Sequence, residues 1–456
     1  MVGARARCKS PALRSLLLAG PLVGLALAGC GAGRPPDVIL VVVDTLRADR
    51  LGAYGYPKPT SPAIDAVARE GLVFTAAHSP ATWTKPAVAS LLTALYPGEH
   101  GIVRMMRGQD PRVRLQALPS SLPTLADRFR AGGYATLAVV HQPNLGEEMG
   151  FARGFETFDH RSSTDDFALV EALLGRLDAA DRERPVFAWL HLLDVHWPYT
   201  ERLPDLPLDA FGPVDPADRM HADRRAVRRS RLRHFRTANL ATLGARYDHG
   251  VAWTDRAIGK LVAGLRARGR WPRTLLVVTA DHGEGFLEHG RLEHSYLPYD
   301  EVTHVPLVLR PPERARIAPG RRTSVVSLTD LGPTLLELAG LPAWPDVSGK
   351  SFAAIARGRE EPDRTALIET EQARALRSAD AKVMVRPTGG VSYYDLAADP
   401  RETRDLAVAG CQGPCRDLLG RLRRVDAGLR PPLRPEGADV RFTREDLEEL
   451  RALGYL

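Results

Sequence analysis

Val38-Ile39-Leu40-Val41-Val42-Val43-Asp44 is an unbroken apolar run, mostly β-branched, closed by a carboxylate. Successive side chains of a strand point to opposite faces, so a run that is apolar at every position is a strand buried on both sides. Burial on both faces belongs to parallel sheets covered by helices. The pattern returns further along the chain. Ala135–Val140 ends at His141, Val186–Leu190 runs into His191, Asp194 and His196, and Thr274–Thr279 runs into Asp281 and His282. Between these runs lie amphipathic segments. Asp255–Arg268 carries Ile258, Leu261, Val262 and Leu265 at helical spacing and closes on Gly269, and Ser121–Arg130 closes on Gly132-Gly133. The alternation predicts an α/β fold with a large, mostly parallel sheet flanked by helices. Each strand releases a carboxylate or an imidazole at its C-terminal end, the edge where such sheets assemble their sites.

Near the end of the chain the pattern changes. Thr365–Ile368, Ala373–Val385 and Val391–Tyr394 read as short antiparallel strands, a small C-terminal subdomain. The reading divides the chain into a main domain over 37–364 and a subdomain with tail over 365–456. The tail, Phe442–Leu456, begins with a cap from Thr443 to Asp446 and continues as a short amphipathic helix.

Ser79-Pro-Ala-Thr-Trp-Thr84-Lys85-Pro86-Ala87-Val88 leads into an apolar helix that runs through Leu95. Pro86 suits a first helical turn. A hydroxyl just before a helix N-terminus faces unpaired N–H groups and the positive end of the dipole, which suits an anionic ester and a nascent alkoxide. Asp44 and Asp281 at strand ends, His282 beside the second, and Thr84 at a helix start make a divalent-metal constellation. One carboxylate alone would be a cap or a turn; Asp281-His282-Gly283 offers two ligands and a tight turn together.

Residues 1–29 read as a targeting segment and are set aside from the fold. Arg5, Arg7, Lys9 and Arg14 precede the apolar run Leu16–Leu27, which is too short to span a bilayer as a mature helix. Leu27-Ala-Gly-Cys30 resembles a bacterial lipobox, cleaved before a cysteine that is then lipidated, with 30–36 as a tether. Gly31 stands where an inner-membrane retention signal carries Asp, so the expected address is the cell envelope, on the periplasmic face of the outer membrane. Cys8 leaves with the signal segment and Cys30 takes the lipid. Cys411 and Cys415 remain, and an oxidising periplasm favours a disulfide between them. The net charge of +7 is carried almost wholly by arginine, a compositional bias that we read without any nucleic-acid partner. The dense arginine run over 224–236 reads as a solvated helix, with anionic headgroups or a polyanionic substrate as the other reading.

These motifs, in this order, resemble the sulfatase family of the alkaline-phosphatase superfamily. The segment around Thr84 is similar to the signature Cys/Ser-x-Pro-Ser-Arg with its leucine-rich helix. Thr84 fills the slot of the residue that becomes formylglycine, and threonine cannot be converted. Asp44-Thr-Leu-Arg-Ala-Asp-Arg-Leu-Gly52 resembles the N-terminal metal motif, and Asp281-His282-Gly283 the second metal pair. His289-Gly290, His304-Val-Pro306, Tyr394-Asp395-Leu with Asp399-Pro400, and the tail Leu450–Leu456 continue the likeness over most of the chain. The resemblance implies one divalent metal held by Asp44, Asp281 and His282, with Thr84 bound to it or close by. Calcium follows from the family; manganese or zinc also suits a histidine ligand. His196 is implied as a substrate-binding residue that protonates the leaving oxygen. His141 and His294 fall near substrate-binding lysines of the family, and Asp194 either orients His196 or binds a second metal. The chain departs from the pattern at Thr45, where sulfatases carry a second Asp, and at Ala87 and Val88, where they carry Ser and Arg. Lys85, beside the nucleophile, is expected to compensate in part.

The expected function is hydrolysis of a sulfate or phosphate ester by Thr84, on an anionic glycan, lipid headgroup or small molecule. A close variant transfers phosphoethanolamine or glycerophosphate groups between envelope molecules; the known transferases usually carry several transmembrane helices, which weighs toward hydrolysis. A non-catalytic, glycan-binding lipoprotein with the same fold is the third reading. The joint retention of Asp44, Thr84, Asp281 and His282 weighs against it.

Overall fold

Asp37–Val43 lies inside an eight-stranded sheet with every side chain buried. Thr274–Ala280 flanks it on one side and Val186–Leu192 on the other, both parallel to it. Ala135–Val140 and Thr157–His160 extend the parallel set. On the far side Leu307–Arg310 runs antiparallel to Thr274–Ala280, and Leu72–Phe74 and Gly320–Arg322 complete the sheet. This computed structural model describes residues 34–434 apart from 104–114, 163, 201 and 216–236, and in the tail 436–438, 444, 447, 448, 450 and 453. The targeting segment, Cys30, the arginine run and the Thr443–Asp446 cap lie outside the described residues. From Pro35 onward the chain closes as one compact unit.

Burying a valine or leucine completely contributes roughly 1.5–3 kcal/mol, so a strand apolar on both faces is stable only with helices over both. Register then sets the site. Val43 pairs with Ala280 on one side and Leu192 on the other, so Asp44, Asp281 and the turn after Leu192 leave the sheet at one level.

The helices differ from expectation in extent. Asp255–Arg268 is the C-terminal half of a long helix, Thr237–Ala267. The helix expected from Ser121 starts at Leu125, because Thr124 and Asp127 form a reciprocal capping box that fixes the first turn there.

The small antiparallel sheet is formed by Ala366–Glu369, Arg374–Arg377, Ala381–Val385 and Val391–Asp395. The run 373–385 breaks into two strands at a turn where Ser378 bonds Ala381 through both backbone and side chain. The helix Pro414–Gly428 covers this sheet with Leu418 and Leu422, which pack on Leu367, Leu376 and Val383. A disulfide joins Cys411, ahead of that helix, to Cys415 in its first turn. Among the described residues no helix is long and apolar enough to cross a membrane.

Candidate active site

The helix Thr84–Thr93 begins at Thr84 itself, with Trp83 extended before it and Pro86 in its first turn. The hydroxyl therefore sits on the first helical residue, one position further in than the sequence suggested. All ten residues of this helix are buried, Ala87 and Val88 completely, so the slots of the signature serine and arginine are packed core. Thr84 Oγ1 lies 3.3 Å from Asp44 Oδ2, to which it donates, and 3.3 Å from His282 Nε2.

Among the described residues, Asp44, Asp281 and His282 bring ligand atoms together, all within 4.8 Å of one another. Asp44 Oδ1 and Asp281 Oδ2 are buried without a hydrogen-bond partner. His282 Nδ1–H donates to the Gly283 carbonyl at 2.9 Å, which leaves a lone pair on Nε2, 3.6 Å from Asp44 Oδ1 and 3.5 Å from Asp281 Oδ2. Burial and repulsion from Asp44 push the Asp281 carboxyl well above the usual range. Burial acts on Asp44 in the same sense, but the nearby imidazoles of His191, His196 and His282 hold its carboxyl well below that range. Two buried carboxylates with orphaned oxygens around an imidazole are a set that a divalent cation completes; the same set is costly to bury without one.

Thr45 serves this cluster through its backbone. It sits at φ 59°, a left-handed conformation that costs a β-branched residue about 1–3 kcal/mol. Its N–H bonds Asp281 Oδ1 at 3.2 Å and its carbonyl accepts from Tyr247 Oη at 2.7 Å. The His282 N–H, at 2.8 Å, holds the same Asp281 oxygen.

His196 and His294 join the site from two further loops. His196 Nδ1–H donates to the Trp197 carbonyl at 2.7 Å, and burial lowers its pKa to about 4 against the pull of Asp44. The His294 ring lies 4.4 Å from that of His282 and 5.2 Å from that of His196. Glu284 holds His294 Nδ1 at 3.1 Å and accepts from Tyr199 Oη at 3.0 Å, and burial raises its pKa to about 7. Ser295 N–H bonds the Thr82 carbonyl at 2.8 Å, tying the His294 loop to the start of the Thr84 helix.

Other expected residues bond elsewhere in the structure. The Asp194 carboxylate accepts from Asp166 N at 2.8 Å and Trp253 Nε1 at 2.7 Å and pairs with Arg202 at 3.0 Å. Those bonds fasten the loop to the scaffold. Lys85 is buried, but its ammonium bonds the Gln116 carbonyl at 3.3 Å, and burial lowers its pKa to about 7. Among the described residues no hydrogen bond joins it to Thr84. His141 is buried at the same sheet edge, its N–H on the His191 carbonyl at 3.3 Å. The residue that reaches the metal cluster is its neighbour Gln142, whose Nε2 donates to Asp44 Oδ2 at 2.8 Å. His191 Nε2 stands 3.7 Å from the same oxygen. Sequence reasoning missed Gln142, His191 as a neighbour of Asp44, and Glu284; the only signal for each was a place at or just after a strand end.

The family model described as Sulfatase matches residues 36–341. Delta 4,5-hexuronate-2-O-sulfatase of Bacteroides thetaiotaomicron is 25% identical over 429 residues, covering 84% of this chain and 88% of that protein. Arylsulfatase A of Homo sapiens is 29% identical over 427 residues, covering 85% and 80% respectively. Among solved structures, the phosphonate monoester hydrolase of Agrobacterium radiobacter superimposes with a TM-score of 0.68 at 21% identity, covering 86% of this chain and 95% of that one. That last likeness is one of fold.

Proposed function

This chain belongs to the sulfatase family of hydrolases, and we propose that it hydrolyses sulfate or phosphate esters with Thr84 as its nucleophile. The observation that carries the reading is the place of Thr84 Oγ1, 3.3 Å from both Asp44 Oδ2 and His282 Nε2, on the first turn of a buried helix. Asp44, Asp281 and His282 would hold one divalent cation, calcium or alternatively manganese or zinc. When bound, it supplies the Lewis acidity that favours ionisation of the Thr84 hydroxyl and offsets charge on the transferring group.

The protein's own residues do the rest. The Thr84 hydroxyl, oriented by its hydrogen bond to Asp44 Oδ2, gives up its proton as its oxygen forms a bond to sulfur or phosphorus and the ester oxygen leaves. His196, whose Nδ1–H is held by the Trp197 carbonyl so that Nε2 carries the lone pair, takes up the proton that Thr84 releases and passes it to that leaving oxygen. Water then attacks the covalent adduct, releasing sulfate or phosphate and restoring the Thr84 hydroxyl. The first-turn N–H groups of the helix favour the anionic group throughout. His294, held by Glu284, stands beside His282 to bind the ester oxygens. The substrate is an anionic ester, and Cys30 carries a lipid that keeps the enzyme at the periplasmic face of the envelope.

Nitrophenyl sulfate, nitrophenyl phosphate and a nitrophenyl phosphodiester, each assayed with calcium, manganese and zinc separately, test this reading. The expected result is metal-dependent turnover of at least one ester class. Metal binding without turnover of any ester would favour the glycan-binding alternative.

A further inference from the structure

Beyond the helix Pro414–Gly428 the chain returns to the main domain, outside its large sheet. Arg430 N bonds Glu99 Oε1 at 3.0 Å and Leu433 N bonds the Glu99 carbonyl at 2.9 Å. Glu436–Ala438 then pairs antiparallel with Leu115–Ala117, Gly437 opposite Gln116, whose carbonyl takes the Lys85 ammonium. Further along the tail, Leu450 and Leu453 are buried with Trp83 and Leu193 in an apolar cluster separate from the main core.

The two partners in that cluster flank the site. Trp83 immediately precedes Thr84, and its carbonyl accepts from Ala87 N at 3.4 Å in the first turn of the helix. Leu193 begins the turn that ends at His196, whose N–H bonds the Leu193 carbonyl at 2.9 Å. Trp83 Nε1 also bonds the Val103 carbonyl at 3.4 Å, so the indole is held from one side by the main domain and covered by the tail leucines. Neighbouring apolar side chains that exclude water fix the backbone they hang from, and a displacement of about 1 Å at a reacting group costs on the order of 100-fold in rate.

We propose that the C-terminal tail completes the active site, with Leu450 and Leu453 as positioning residues that hold the Thr84 helix start and the His196 turn together. This rests on the reading of Thr84 as nucleophile.

The test compares the full-length protein with the Leu450→Ser/Leu453→Ser double variant, its Leu→Met counterpart, and Leu418→Ser in the separate core of the subdomain. Each is assayed below its melting temperature with the ester that the wild type turns over. The double serine variant should lose kcat on the order of 100-fold, while the methionine variant and Leu418→Ser stay within about threefold. Tryptophan emission should shift to the red in the double serine variant and not when Trp83→Phe is also present. If the double variant does not fold, Leu453→Ala alone should give the same pattern at about tenfold. The proposal is overturned if the serine variant keeps wild-type kcat, if Leu418→Ser loses as much, or if the emission does not move. A wild type inactive on every ester sinks the Thr84 reading instead, and the emission then decides whether the tail sits on Trp83.

Discussion

Asp281 faces Asp44 across a buried gap, with one oxygen of each lacking a partner. Without a cation this pairing destabilises the fold; with one it becomes a binding site. A ligand at a hundred times its Kd adds about 2.7 kcal/mol to stability. Calcium, manganese or zinc should therefore raise Tm, EDTA should lower it, and Asp281→Asn should abolish the difference. Because the asparagine removes one of two opposed charges, the variant in EDTA should melt no lower than the wild type in EDTA. A calorimetric scan with each metal checks both signs. His100 makes a second residue-scale prediction. Its Nδ1 accepts from Ile102 N at 3.2 Å, its Nε2 faces Ser90 Oγ at 3.0 Å, and burial lowers its pKa from 6.5 to about 3. A folded pKa below the unfolded one means that the fold favours the neutral ring. Its contribution is whole above pH 6.5 and is lost as pH falls toward 3, by about 1.4 kcal/mol per unit. Urea titrations between pH 6.5 and 4 should show a steeper acid loss in the wild type than in His100→Gln; equal slopes would contradict the assignment.

The strands were legible in the sequence because burial on both faces shows at every position. Val38–Val43, Ala135–Val140 and Thr274–Thr279 each match the observed strand to within one residue at either end. The long helix was half hidden for the opposite reason. Its N-terminal half carries Leu243, Tyr247 and Val251 at helical spacing but buries Arg246, Asp248 and His249 among them, with Asp248 paired to Arg50 and Lys58, so charged residues interrupt the apolar stripe before Asp255. Strand ends likewise announced Asp44, Asp281 and His282, but not the neighbours of Asp44. Gln142 and His191 reach it because Val186–Leu192 lies between Asp37–Val43 and Ala135–Val140, an order that no single segment encodes. The Thr84 helix makes a prediction at this scale. Val88 is completely buried where the family carries arginine, so Val88→Arg should insert an unpaired charge into packed core. We expect a loss of several kcal/mol, seen as a lower Tm and aggregation, rather than a restored sulfatase signature. A Val88→Arg protein as stable as the wild type would show that this slot still accommodates the guanidinium.

At the scale of the whole molecule, the unit from Pro35 onward joins the large sheet, the small antiparallel sheet and the returning tail. The tail carries a sequence resemblance that had no structural role until Leu450 and Leu453 were placed on Trp83 and Leu193. The envelope address rests on the lipobox alone. Growth with an alkyne-tagged palmitate should label the wild-type chain and not Cys30→Ala; equal labelling would overturn the anchor. All of these elements converge on one oxygen, Thr84 Oγ1, at the joint of the first strand, the buried helix and the loop after Ala280. The most direct test is kcat/KM of Thr84→Ala against the wild type, with metal occupancy measured in both. The account predicts an alanine variant that folds, binds metal and loses at least about a thousandfold in kcat/KM, with Thr84→Ser recovering part of the loss. An alanine variant that keeps wild-type turnover would contradict it.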